Sequence, residues 1–248
     1  MRANPQVVER CFELLREGRL EEADRLAGEA VEAEPDNGEL WEMRGLLRQR
    51  SGDHAGACEA LEMASMLVPM GHAPQCALAD CYAKTGKTDL AHDMYQHLAG
   101  DPRCPTFLLP AVASGLGTLG DLTGALGVCQ TWSDREPSCH EALFGTAYYM
   151  RRLGASPADV IPVMERSHEL APDRAVYRIV LASLYGRLER WDDAYDLLRD
   201  IPTGEVSCTC CIRRVMAIFW RSGDLCRYED FRAHLDSARA TNATRHAP

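Results

Sequence analysis

Aromatic side chains make up only 7% of this 248-residue chain. A core cannot be filled by so few, so it falls to Ala, Leu, Val and Met, within an apolar content of 46%. No run approaches the ~18 consecutive apolar residues of a membrane-spanning helix, so no insertion into a bilayer is expected. Positive charge is also scarce. There are 37 acidic against 27 basic residues, a net charge of −10, which disfavours nucleic acid as a partner. Met1 to Arg10 contains no apolar stretch like that of an export signal, so the eleven cysteines are expected as reduced thiols in the cytoplasm. Catalytic patterns are missing too. The eight histidines form no His-Glu-x-x-His set. Gly115-Leu-Gly117-Thr-Leu-Gly120 has the spelling of a phosphate loop but precedes a repeat turn instead of following a strand. An enzyme is not expected, and neither is a cofactor.

What the chain does have is a repeat. Gly18-Arg-Leu-Glu-Glu-Ala23 returns as Gly52-Asp-His-Ala-Gly-Ala57, Gly86-Lys-Thr-Asp-Leu-Ala91 and Gly120-Asp-Leu-Thr-Gly-Ala125, with Gly154 in step. Each glycine lies 34 residues after the last. A fixed period of this size marks units that bury their apolar faces only by stacking on one another. Within the first unit, Val8, Cys11, Phe12 and Leu15 recur at helical spacing after Pro5. Gly18 then allows a left-handed turn. Ala23, Leu26, Ala27, Ala30 and Val31 form a second apolar face, which Pro35-Asp36-Asn37 ends. Each unit therefore reads as two antiparallel helices joined by a short turn.

These residues resemble the tetratricopeptide repeat, whose 34-residue pattern is Trp-x2-Leu-Gly-x2-Tyr, Ala-x3-Phe, then Pro. The second unit carries Trp41, Gly45, Gly52, Ala57, Leu61, Ala64 and Pro69 at those places, with Arg44 and Arg48 where Leu and Tyr are usual. Ala79, Tyr82, Ala91 and Tyr95 match in the third, and Ala113, Leu116, Ala125 and Pro137 in the fourth. The fifth has Ala147 and Pro172. Ala182, Tyr185, Trp191, Ala194 and Leu198 carry the sixth, where Glu189 replaces the turn glycine. Phe219, Gly223 and Tyr228 survive in the seventh. The resemblance implies an all-α, right-handed α-solenoid of about seven helix pairs. They form a single repeat domain over 1–240, divided at 4–37, 38–71, 72–105, 106–139, 140–174, 175–208 and 209–240, with a polar tail from 241 to 248. Fraying is expected from Asp236 onward.

The family's concave face is lined by the first helix of each pair and holds a peptide or partner segment. Carried over, that face includes Glu39, Glu42, Leu46 and Gln49, then Cys76, Asp80 and Lys84, then Phe107, Pro110 and Ser114. It continues with Phe144, Tyr148 and Arg152, with Val176, Ile179 and Ser183, and with Arg213, Arg214 and Arg221. Phe144 and Tyr148 stand four apart on one helical face. An aromatic surface beside arginine is the composition of a binding hot spot. Phe107, Phe144, Tyr148, Arg152, Ile179, Arg213, Arg214 and Arg221 are therefore the candidate peptide-binding residues. Phe144, Val176 and Ile179 have a second reading as filling between repeats. Residues 173–248 carry 12 bases, all Arg, against 11 acids, so an acidic or amphipathic segment is the expected partner. The implied role is an interaction scaffold or adaptor, with a chaperone that holds a partner segment as a variant. The carboxylate clamp of heat-shock adaptors is not expected, because Val8, Phe12, Glu42, Leu46 and Cys76 occupy its places.

Cys208-Thr-Cys210-Cys211 opens the first helix of the last unit. Soft thiolates suit zinc or copper, and a helix N-terminus lowers a thiol's pKa. A closed zinc site needs four ligands, and only three are close in sequence. The other reading packs Cys211 inward and leaves Cys208 and Cys210 as turn residues. A thiol- or metal-dependent regulator built on these three residues is the alternative function.

Overall fold

The computed structural model describes residues 5–245. Among them the chain is all-α, with fourteen α-helices in seven successive pairs and no strand. The pairs are α1 (Pro5–Arg16) with α2 (Leu20–Ala33), α3 (Gly38–Ser51) with α4 (His54–Leu67), and α5 (His72–Lys84) with α6 (Thr88–Gly100). Then come α7 (Leu109–Thr118) with α8 (Leu122–Arg135) and α9 (His140–Arg152) with α10 (Pro157–Leu170). The last two are α11 (Ala175–Arg187) with α12 (Trp191–Leu198) and α13 (Thr209–Arg221) with α14 (Leu225–Arg245).

The 34-residue period is a backbone period. Gly18, Gly52, Gly86, Gly120, Gly154 and Gly223 all have φ between 77° and 92°. This left-handed turn folds each second helix back on the first. At the sixth turn Glu189 takes the same conformation, φ 60°, as the only described non-glycine residue with positive φ. An L-residue there is strained by ~1–2 kcal/mol, while glycine costs ~0.5–1 kcal/mol of extra chain entropy. Glu189→Gly is therefore expected to stabilise the protein by up to ~1 kcal/mol, read as a higher urea midpoint. An unchanged or lower midpoint would show that Glu189 is not strained.

The helices form two compact units, residues 1–128 and 129–248. In the first, α2 packs on α3, α4 on α5 and α6 on α7, while first helices also meet first helices, α1 with α3, α3 with α5 and α5 with α7. Small residues permit this. Ala23, Ala57, Ala79 and Ala91 are fully buried, and a Cβ on Gly45 would come within 2.5 Å of Leu61 Cγ. Arg44 and Arg48 stand where the repeat pattern has Leu and Tyr. Both reach back to the Asp24 carboxylate on α2, with Arg48 Nε at 3.2 Å and Arg44 Nε at 3.7 Å. An ionic contact between repeats thus replaces an apolar one. Other polar pairs cross successive repeats: Gln49 Nε2 donates to Asp80 Oδ2 at 3.0 Å, Lys87 pairs with Glu62 at 2.8 Å, and His92 Nε2 lies 3.1 Å from Asp121 Oδ2.

The second unit has one continuous core running from Ala147 and Met164 through Leu181, Leu184 and Leu198 to Ile212, Phe219 and Phe231. Gly186 makes room for Trp191, whose ring a Cβ there would approach to 3.1 Å. His140 Nδ1 meets the Tyr177 hydroxyl at 2.9 Å, and Tyr195 donates to Asp224 at 3.0 Å. At the C-terminus, where fraying is expected from Asp236 onward, α14 continues as helix to Arg245, and residues 246–248 of the expected polar tail lie outside the described residues. Its last turns contain neither Gly nor Pro and are rich in Ala and Arg, the residues that lose least on entering a helix.

Candidate functional site

In the second unit, Tyr148 on α9 is 43% exposed. Four residues on, the Arg152 guanidinium carbon stands 5.9 Å from the centre of its ring, and the Tyr149 ring meets it edge-on at 5.0 Å. Tyr148 is thus held by its neighbours with its ring open to solvent. Arg151, three residues after Tyr148, is only partly exposed, and its Nε is buried without a hydrogen-bond partner. Its pKa is lowered first by burial and then by the positive charges of Arg214 on α13 and Arg187 on α11. Arg151 on α9 therefore feels like charge from two other helices. No ion pair to a carboxylate joins Arg151, Arg187 or Arg214 among the described residues. Elsewhere in the unit Arg178 pairs with Asp200 and Arg190 with Asp193. Like charges gathered without a counter-ion repel one another, and an incoming carboxylate would relieve that repulsion.

Each expected groove residue has a definite place. Arg152, Arg213, Arg214 and Arg221 are exposed, and Arg221 lies 5.4 Å above the Trp191 ring. Phe144 is half-buried and stacks on Tyr177 at 4.7 Å, so it serves the packing between repeats. Ile179 leaves the candidate set: it is 3% exposed, buried within the unit's continuous apolar core. Val176, nearly one turn earlier, is the exposed apolar residue of that helix. Two partners were not legible beforehand. Arg187 is in repeat phase with Arg152 and Arg221, two residues before each turn, and that phase was the available signal. Arg151 carried no such signal. Trp220 on α13, 60% exposed, is a further aromatic that the repeat pattern did not select.

The first unit has its own concavity of about 680 Å³, lined from three first helices by Leu46, Gln49, Cys76, Asp80, Lys84 and Ser114, all among the expected positions. Tyr95 also lines it from α6, reaching it beside Gly115. Phe107 does not line it. It sits 74% exposed in a short 3-10 turn, Thr106–Leu108, that Pro105 sets up before α7. That turn shifts the phase, so Leu108 lines the concavity where Phe107 was expected.

Repeated helix pairs, left-handed turns in a 34-residue phase and small residues at each crossing decide the fold. The chain has the tetratricopeptide-repeat fold. No protein-family model matches it, and no curated protein is similar to it in sequence. Among solved structures, it superposes on the C-terminal part of a tetratricopeptide-repeat protein from Cytophaga hutchinsonii with a TM-score of 0.72 at 10% identity, covering 94% of this chain and 96% of that one. A tetratricopeptide-repeat protein from Parabacteroides merdae matches with a TM-score of 0.65 at 15% identity, covering 95% and 98%. YrrB, described as a tetratricopeptide-repeat protein with an unusual peptide-binding site, gives 0.56 at 17% identity over 70% of this chain and 93% of its own.

The cysteines of this repeat protein divide sharply. Burial raises the thiols of Cys76 to about 11, Cys81 to about 12 and Cys129 to about 11. Cys208 goes the other way, to about 7, through hydrogen bonding from Cys210 and then from the Cys211 backbone N–H. Cys211 is pushed up to about 12, first by burial and then by Cys208. Cys208 and Cys210 are exposed, and Cys211 is half-buried against the core. No described helix is long and apolar enough to cross a membrane.

Proposed function

We propose that this chain is a protein-interaction scaffold whose second unit takes an acidic segment of a partner. The observation that carries the reading is that Arg151, Arg187 and Arg214 have no ion pair to a carboxylate among the described residues, while the charges of Arg214 and Arg187 lower the Arg151 pKa. Tyr148, with Arg152 beside it, supplies an exposed aromatic contact of the kind that anchors interfaces. The peptide-binding site named for YrrB, on the same fold, supports a segment as the ligand. The role requires no catalytic step, and it suits the cytoplasm, where exposed thiols stay reduced. Holding a partner segment until it is handed on is the chaperone form of the same role.

The test is to pan random peptides displayed on phage against the immobilised full chain. Enriched peptides should be rich in Asp and Glu. Arg151→Glu/Arg214→Glu, matched to the original chain in helicity, should bind them at least about tenfold more weakly, because hydrogen bonds to a charged group contribute ~1.5–3 kcal/mol. Enrichment of neutral or basic peptides, or equal binding by the charge-reversed protein, would overturn the reading.

A further inference from the structure

We propose that Cys208, Cys210 and Cys211 form a binding site for a soft metal ion, with monovalent copper as the ion that fits. The chain enters α13 through Cys208, which holds the extended N-cap conformation, φ −77° and ψ 122°. Cys211 lies one helical turn on, so both sulfurs fall on the same side, and Cys210 stands between them. All three Sγ atoms lie within 4.8 Å of one another, with Cys208 to Cys210 at 2.6 Å and Cys210 to Cys211 at 4.0 Å. Metal–thiolate bonds of ~2.3 Å place three sulfurs around one ion roughly 4 Å apart. The cluster therefore reaches that geometry by side-chain rotation alone.

The number of donors selects the ion. No His, Asp or Glu joins the three sulfurs among the described residues. Zinc would keep an open fourth position, whereas monovalent copper is soft and is satisfied by three thiolates in a plane. The surroundings favour the anionic complex. The positive end of α13 lies under the cluster, and exposed Arg213 and Arg214 follow directly. As the ion binds, the thiol protons pass to the buffer and three S–Cu bonds form, with no electron transferred. Competing thiols are remote in kind: Cys11, Cys58, Cys76, Cys81, Cys104 and Cys129 are all buried.

Copper(I) titrated anaerobically into the reduced full chain, in competition with bathocuproine disulfonate, tests this. One equivalent should be withdrawn from the chelator, with a near-ultraviolet thiolate-to-copper band. Cys208→Ser/Cys210→Ser should lose that equivalent while keeping its far-ultraviolet circular dichroism. Cys139→Ser/Cys226→Ser, which removes two cysteines outside the cluster, should retain it. Failure of the native chain to draw copper from the chelator would overturn the proposal, as would equal binding by Cys208→Ser/Cys210→Ser. Zinc held more tightly than copper in the parallel competition would overturn the choice of ion.

Discussion

Gly115→Ala should destabilise the protein by ~1–2 kcal/mol, while the same change at Gly127 should stabilise it. Both glycines sit inside helices, where alanine is favoured by ~0.8–1 kcal/mol. Their surroundings differ. A Cβ on Gly115 would lie 2.3 Å from Cζ and 2.4 Å from Cε2 of Tyr95, a ring 3% exposed between α6 and α7. A flat, buried ring cannot swing away as a long side chain does, so α7 must shift instead. Overpacking of this kind costs ~1–3 kcal/mol, and a contact this short belongs at the upper end, where it outweighs the gain in propensity. A Cβ on Gly127 would meet no neighbouring group within 4 Å, and the propensity decides. Urea midpoints of the two variants should therefore move in opposite directions. A Gly115→Ala protein as stable as the original would mean that the Tyr95 ring has room to move.

The second expectation is larger and concerns reactivity. At pH 7 iodoacetamide should modify Cys208 at least ~100-fold faster than Cys76, Cys81 or Cys129. A thiol at about 7 is half thiolate at that pH, whereas one at about 11 is ionised in roughly one molecule in ten thousand. The lower pKa weakens the thiolate as a nucleophile by a factor of roughly 40–100, from a Brønsted slope of ~0.4–0.5 over that interval. About two orders of magnitude remain, and burial of the three slow thiols adds to them. The sign of the pH dependence follows. Because the Cys208 pKa is lowered, its reactivity is full above about 7 and falls as the pH drops through that value. Timed alkylation followed by peptide mass spectrometry gives both rate and profile. A midpoint above 8.5 would show that neither Cys210 nor the Cys211 backbone N–H stabilises the thiolate.

Much of this fold was legible in the sequence because it is periodic. Five glycines in one phase specify five left-handed turns, and the alanines between them specify the close crossings. Glu189 could be read the same way: position, not residue type, predicted a turn there. The surface was less legible. Repeat phase assigns a residue to a face only while the phase is kept. The 3-10 turn after Pro105 breaks it, which is why Phe107 lies outside the first unit's concavity. Ile179 failed for another reason: one turn of a helix packed on both sides separates a lining position from a core position. The Arg151 guanidinium feels the charges of Arg187 and Arg214 from two other helices. A coupling of that kind depends on which side chains of different repeats are neighbours, and no spacing within one repeat encodes it.

The polar pairs between successive repeats have one more consequence. Backbones so alike offer no reason for one order of stacking over another. Yet the junctions carry different chemistry: a carboxylate shared by two arginines at Asp24, an amide on a carboxylate at Gln49 and Asp80, and an imidazole on a carboxylate at His92 and Asp121. In the other unit an imidazole meets a phenol at His140 and Tyr177, and a phenol meets a carboxylate at Tyr195 and Asp224. Four of these seams end on a carboxylate, so it is the donor (arginine, amide, imidazole or phenol) that changes from seam to seam. A permuted chain would keep its helices and turns but set each carboxylate against a donor of different charge and reach. The seams thus give each of these junctions a label of its own, in units whose backbones are otherwise alike.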